Sequence, residues 1–151
     1  MKIIEAIAQH FYEVNCGDNW TDAAVKDILQ GINYEQAIKK IGDTNTIALL
    51  LFHMDFYNMV VYNRIVGITR HFEHEESLKQ PNITSEEDWQ QLQRQYFDNV
   101  NNIHKAILEF DESRLFEQTT KNTPYKNFHG LIEHIHYHLG QISLLKKLTA
   151  E

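Results

Sequence analysis

The sequence predicts an all-α fold, a four-helix bundle with short helical connectors, on three observations. Proline occurs only at Pro81 and Pro124 and glycine only six times, so the chain has few of the breakers that a turn-rich sheet protein needs. Four long segments carry apolar residues at helical spacing. The links between them are polar and of moderate length, as in bundles with crossover connections. One domain over residues 1–151 is expected, large enough to bury a core without staples.

The first long segment covers roughly residues 2–14, with Ile3, Ile4, Ile7, Ala8, Phe11 and Val14 on one stripe. It stops at the turn Asn15-Cys16-Gly17-Asp18. Residues 20–41 read as short helical pieces that cover the bundle. Thr21 and Asp22 would cap a helix over 23–29, Gly31 would stop it, and Asn33 would cap 34–41. The second long helix is expected from residue 44 or 45 to about 68, burying Leu50, Met54, Tyr57, Val61, Ile65 and Ile68. An acidic link, HFEHEESLKQPNIT, follows. Ser85 then caps a third helix with Glu86, Glu87 and Asp88 in its first turn, where the macrodipole favours negative charge. Its stripe is Trp89, Leu92, Tyr96, Val100, Ile103, Ile107 and Phe110. After a second connector, 111–123, Thr123 and Pro124 open the fourth helix as N-cap and first helical residue. That helix should run to about 148 and bury Phe128, Leu131, Ile132, Ile135, Leu139, Ile142 and Leu145.

Charge and cysteine content exclude several function classes. A net charge of −7 argues against nucleic acid as the main partner and against a lysine-rich membrane-surface role. Cys16 is the only cysteine, so no intramolecular disulfide forms and a reducing compartment is expected. Glu5, His10 and Glu13 interrupt the opening run, which therefore does not read as a signal peptide. The apolar stretch 47–66 carries His53, Asp55, Asn58, Asn63 and Arg64, too many polar groups for a membrane span. The expected location is the cytoplasm.

The nine histidines hold the strongest chemical signal. His134 and His138 are four apart, about 40° around a helix and one turn along it, an arrangement in which two imidazoles converge on one ion. His138 also lies on the stripe with Leu131, Ile135, Ile142 and Leu145, where a polar ring needs a partner. The same spacing also suits two core histidines satisfied by hydrogen bonds. His53, mid-helix among Leu49, Leu50, Phe56 and Tyr57, is the natural third ligand, since bundle cores build metal sites from facing helices. His129 and His136 point away from the pair, His104 reads as surface, and His71 and His74 read as a solvated face. His10 lies near its helix's stripe as a possible fourth ligand or supporting group. Gly140 suggests close approach of a neighbouring helix or ligand, and Gln141, three residues after His138, is placed to bond a ligand ring or metal-bound water.

Residues 129–147, HGLIEHIHYHLGQISLLKK, resemble the last-helix signature of the DinB-like bundle proteins: a histidine pair four apart, Tyr before the second, Gly-Gln after it. Trp20 with TDAAVKDILQGINYEQA, Asn45 and the helix around His53 resemble that family's first half. The resemblance implies up-down-down-up connectivity, frequent homodimers, and a metal, often zinc or nickel, on three histidines, which fall here on His53, His134 and His138. It also implies hydrolase or thiol S-transferase chemistry on a small-molecule substrate, the latter with a thiol cofactor. The segment FHMDFYN departs from the transferase pattern, lacking a second histidine beside His53.

Three neutral imidazoles leave an open coordination position, the arrangement of a catalytic site. The general base is not evident. Ile135 stands where a zinc-peptidase helix carries glutamate, while Glu133 and Asp55 point elsewhere, leaving Tyr57, His10 or a connector residue. Cys16, in a turn without a base, reads as incidental. The alternative to an enzyme is a non-catalytic metal-binding bundle or an interaction module.

Overall fold

In the computed structural model, which describes residues 1–150, the chain is all-helical, with no β-strand among the described residues. The elements are α1 (Ile3–Cys16), α2 (Val25–Leu29), α3 (Tyr34–Ile38), α4 (Ile47–Ile65), α5 (Glu86–Leu108) and α6 (Pro124–Thr149). Short 3₁₀ turns at His74–Leu78 and Glu112–Arg114 sit in the two long connections.

Local chemistry accounts for most of the boundaries. The Ser85 hydroxyl accepts the Asp88 N–H at 3.2 Å, and the Asp88 carboxylate in turn accepts the Thr84 N–H, so α5 starts at a reciprocal cap. Thr123 accepts from the Lys126 N–H ahead of Pro124, and Asn33 accepts from the Gln36 N–H at the head of α3. Thr21 and Asp22 do not cap α2. Thr21 bonds the Asn19 side chain instead, Asp22 takes a left-handed φ of 54°, and Ala24 holds the N-cap position. α4 begins at Ile47, later than the expected start at Thr44 or Asn45, and is capped by Thr46, whose hydroxyl both accepts the Leu49 N–H and donates to Gln80 of the following connection. That helix ends at Ile65, three residues before its apolar pattern does. Gly67, at φ 75°, turns the chain, and the Ile68 N–H returns to the Asn63 carbonyl.

One hydrophobic cluster draws side chains from all six helices. α1 and α4 each pack against both α5 and α6. The apolar stripes expected for α5 and α6 are buried, with Phe110 partly so, whereas Ile3 and Ile68, at 50% and 52% exposure, lie outside the core. A polar layer crosses the interior. The Tyr96 hydroxyl donates to Asn15 Oδ1 at 2.6 Å, and buried Asp55 accepts from Gln95 and Asn99 of α5. Asp55 thus faces α5, away from His53, as its helical position requires. No helix is long and apolar enough to cross a membrane among the described residues.

Gly140 does not mark a close approach. It is exposed, and a Cβ built there meets no atom within 4 Å. Mid-helix glycine then carries only its entropic penalty, so Gly140→Ala is expected to stabilise the fold by about 1 kcal/mol, read from the urea midpoint at unchanged m-value.

Candidate metal centre

The middle of α4 and the centre of α6 face each other, and at that contact His53, His134 and His138 come together. One ring nitrogen from each lies within 4.8 Å of the other two, so the group could hold a metal ion. The Nε2 atoms of His53 and His134 are 3.2 Å apart. Two donors bound at about 2.0–2.1 Å in a tetrahedron stand about 3.3 Å apart, so this separation already suits a shared ion. His53 is buried; His134 and His138 are half-buried at the margin of the core.

Neighbouring groups fix two of the tautomers. The Ser77 hydroxyl donates to the His74 carbonyl at 2.6 Å, which leaves its lone pairs toward His53 Nδ1 at 3.0 Å. The Ser77 carbonyl is 3.3 Å from the same nitrogen. Both are acceptors, so His53 carries its proton on Nδ1 and presents Nε2 as a lone pair. His138 Nδ1 lies 2.6 Å from Gln141 Oε1 and likewise donates, leaving its Nε2 free. Bonds that hold the outer nitrogen and turn the inner one toward an ion are the usual support of a ligating histidine. A metal-free cluster would join His134 to His53 by an N–H···N bond. The buried Nδ1 of His134 has no hydrogen-bond partner among the described residues.

The electrostatics keep the rings in their ligating form. His134 is pushed down to about 4, first by burial and then by the nearby His138 and His53. His53 is lowered by burial and by His138, against the opposing pull of the Ser77 carbonyl. Both are therefore neutral at pH 7, the state metal binding requires.

The rim brings in Tyr57, one of the candidate bases, together with His74 and Ser77 of the connection, which the sequence did not single out. Tyr57 packs on the rings of His53 and His134, at centroid distances of 5.1 and 5.0 Å, and its hydroxyl lies 2.8 Å from His74 Nδ1. His74 is edge-on to His53 at 6.1 Å, so it belongs to the site's surroundings rather than to a detached solvated face. His71 is exposed beside Glu73, as expected. Ser77 and His74 both sit in the 3₁₀ turn of the acidic link, which has no helical periodicity to point toward α4.

The remaining candidates fall elsewhere. His10 is exposed and adds no donor to the cluster; it exerts its electrostatic influence on His129 and His136. His104 packs against Tyr12 and is half-buried, and His129 packs against Tyr125. Burial pushes the Cys16 thiol up, away from the thiolate a nucleophile needs. Glu133 is exposed and Ile135 buried in the core.

Removing the bond that orients His53 tests this arrangement. Ser77→Ala is expected to weaken divalent-metal affinity roughly 10–100-fold, measured by competition with a chromophoric chelator. An unchanged affinity would mean that the Ser77 hydroxyl does not orient the ring and that the Ser77 carbonyl, which the variant retains, suffices.

No protein family, curated protein or solved structure matches the chain. What the centre can do therefore follows from its own geometry.

Proposed function

We propose that the chain is a metal-dependent enzyme of DinB-like type, in which zinc or nickel on His53, His134 and His138 serves hydrolysis or thiol S-transfer on a small molecule. The observation that carries this reading is the convergence of three ring nitrogens, two of them with their outer nitrogens held by acceptors. His53, His134 and His138 would hold the ion, which would supply Lewis-acid chemistry, activating a water or a thiol as nucleophile. The chain's own contribution is orientation and proton handling. Ser77 and Gln141 fix ring directions, Tyr57 walls one side of the site, and His74 can accept a proton from the Tyr57 hydroxyl at the rim.

The four long helices are read as a bundle in up-down-down-up order. Ile4 with Glu112 and Asn15 with Tyr96 favour opposite directions for α1 and α5. Arg64 with Asn127 and His53 with His134 favour opposite directions for α4 and α6. Phe52 shares a cleft with Asp88 and Leu92, and Ile65 shares one with Phe110, which favours α4 and α5 running the same way.

The test is turnover by metal-loaded protein on small esters and amides, and on an electrophile with and without added thiol. Activity that a chelator abolishes and metal restores is the expected result, and its dependence on thiol decides between the two chemistries. Stoichiometric metal without metal-dependent turnover in either arm would replace this reading with the non-catalytic metal-binding bundle.

A further inference from the structure

The acidic character of the chain is absent from one place. A cleft of about 490 Å³ opens where the end of α4 meets the start of α6. Gly67 ends α4 in a left-handed turn, and the segment after it lines the opening, bringing Arg70 to the same space as Arg64. Lys121, from the connection before α6, lines it as well. Among the described residues no aspartate or glutamate does, although the chain has 21 acidic residues against 14 lysines and arginines. Three cations without a carboxylate is therefore a departure from what this composition would supply by chance.

Those cations are not committed to other charges. Arg64 bonds the neutral Asn127 side chain at 3.2 Å, and Arg70 lies over the Phe72 ring at 4.8 Å. Among the described residues no carboxylate stands within ion-pair distance of Arg64, Arg70 or Lys121. Arg64, Arg70 and Lys121 are exposed at the cleft, so their charges are accessible to an anion, which a guanidinium can hold through two parallel hydrogen bonds. The rest of the lining is mixed: Asn63, His71, Asn127 and three threonines are polar, while Phe72, Phe110 and Phe128 supply flat apolar surfaces. The volume falls within the range of small-molecule sites.

We infer that this cleft binds a hydrophobic organic anion, its carboxylate or phosphate held by Arg64, Arg70 and Lys121 and its body against Phe72, Phe110 and Phe128. This site is separate from the metal centre. None of the three clustered histidines lines the cleft; His53 stands seven residues from Val60 and His134 six from Phe128, about 9–10 Å along their helices. Phe56 lies between the two, packing on Phe72 at one side and Tyr57 at the other. Binding here needs no metal.

The test is calorimetric titration of the full chain, with chelator present throughout. 1-Naphthaleneacetate and 1-naphthyl phosphate are the anionic probes, and 2-(1-naphthyl)ethanol is the neutral one. At least one anion should bind 10-fold or more tightly than the alcohol, and the better anion identifies the head group. The double variant Arg64→Gln/Arg70→Gln should weaken that anion at least 10-fold and leave the alcohol unchanged. Should the double variant fail to fold, Lys121→Gln, on an exposed connection, should weaken the anion several-fold in the same comparison. Absence of binding by both anions at millimolar concentration, equal binding of anion and alcohol, or wild-type affinity in the folded variants would each overturn the assignment.

Discussion

His134→Ala is expected to abolish tight divalent-metal binding and, in metal-free protein, to make the fold less sensitive to acid. The first effect removes one of three converging donors, so the loss should exceed the roughly 10–100-fold that follows when only an orienting bond is removed. The second follows from linkage. His134 titrates at about 4 in the folded chain, against about 6.5 when unfolded. The fold holds its neutral form, so the unfolded chain binds more protons between those values. The stability tied to this ring is complete above pH 6.5 and is lost as the pH falls toward 4. Allowing for its partial exposure, the loss is about 2–3 kcal/mol. His53, also lowered, adds to the same limb. Urea unfolding in chelator at pH 7.5 and 4.5 should show a smaller acid loss in His134→Ala than in wild type. Equal losses would mean that the ring is not held neutral by its surroundings.

Trp89→Ala should be the most damaging single change in the core, lowering stability by about 4 kcal/mol. Trp89 is fully buried and its indole N–H donates to the Ile32 carbonyl at 2.8 Å. Beside it, the Glu86 carboxylate accepts the Tyr34 N–H at 2.9 Å, so the first turn of α5 anchors the segment carrying α3. Trp89→Phe retains most of the apolar volume and orphans one carbonyl, for which about 1–2 kcal/mol is expected. Equilibrium unfolding of the two variants separates the packing contribution from the hydrogen bond. Near-equal losses would show that the bond to Ile32, rather than packing, dominates.

The long helices were legible because their signals are local. Ser85 and Thr123 cap through bonds to residues three positions away, as Asn33 does for short α3, and the stripes of α5 and α6 repeat at helical spacing. Errors arose where a distant group decides. Thr46 takes the cap of α4 partly because Gln80 completes its bonding, and Asn45 has no such partner in view from its neighbours. The apolar pattern reaching Ile68 concealed the stop that Gly67 imposes. At the centre, His134 and His138 followed from their spacing and His53 from the pair of imidazoles offered by a facing helix, but Ser77 stands 24 residues from the ring it orients. His74 was hidden in the same way, inside a link whose charge reads as solvent-facing. Gly140 erred in the opposite sense, since a helical glycine can mean crowding or nothing, and only its empty surroundings decide.

The most direct measurement is elemental analysis of untagged protein, wild type beside His138→Ala. His138 is only half-buried, so its loss should disturb packing little while removing a donor. About one equivalent of zinc or nickel in the wild type and little in the variant is the predicted result. Equal metal content in the two proteins, or none in the wild type, would contradict a centre built on His53, His134 and His138.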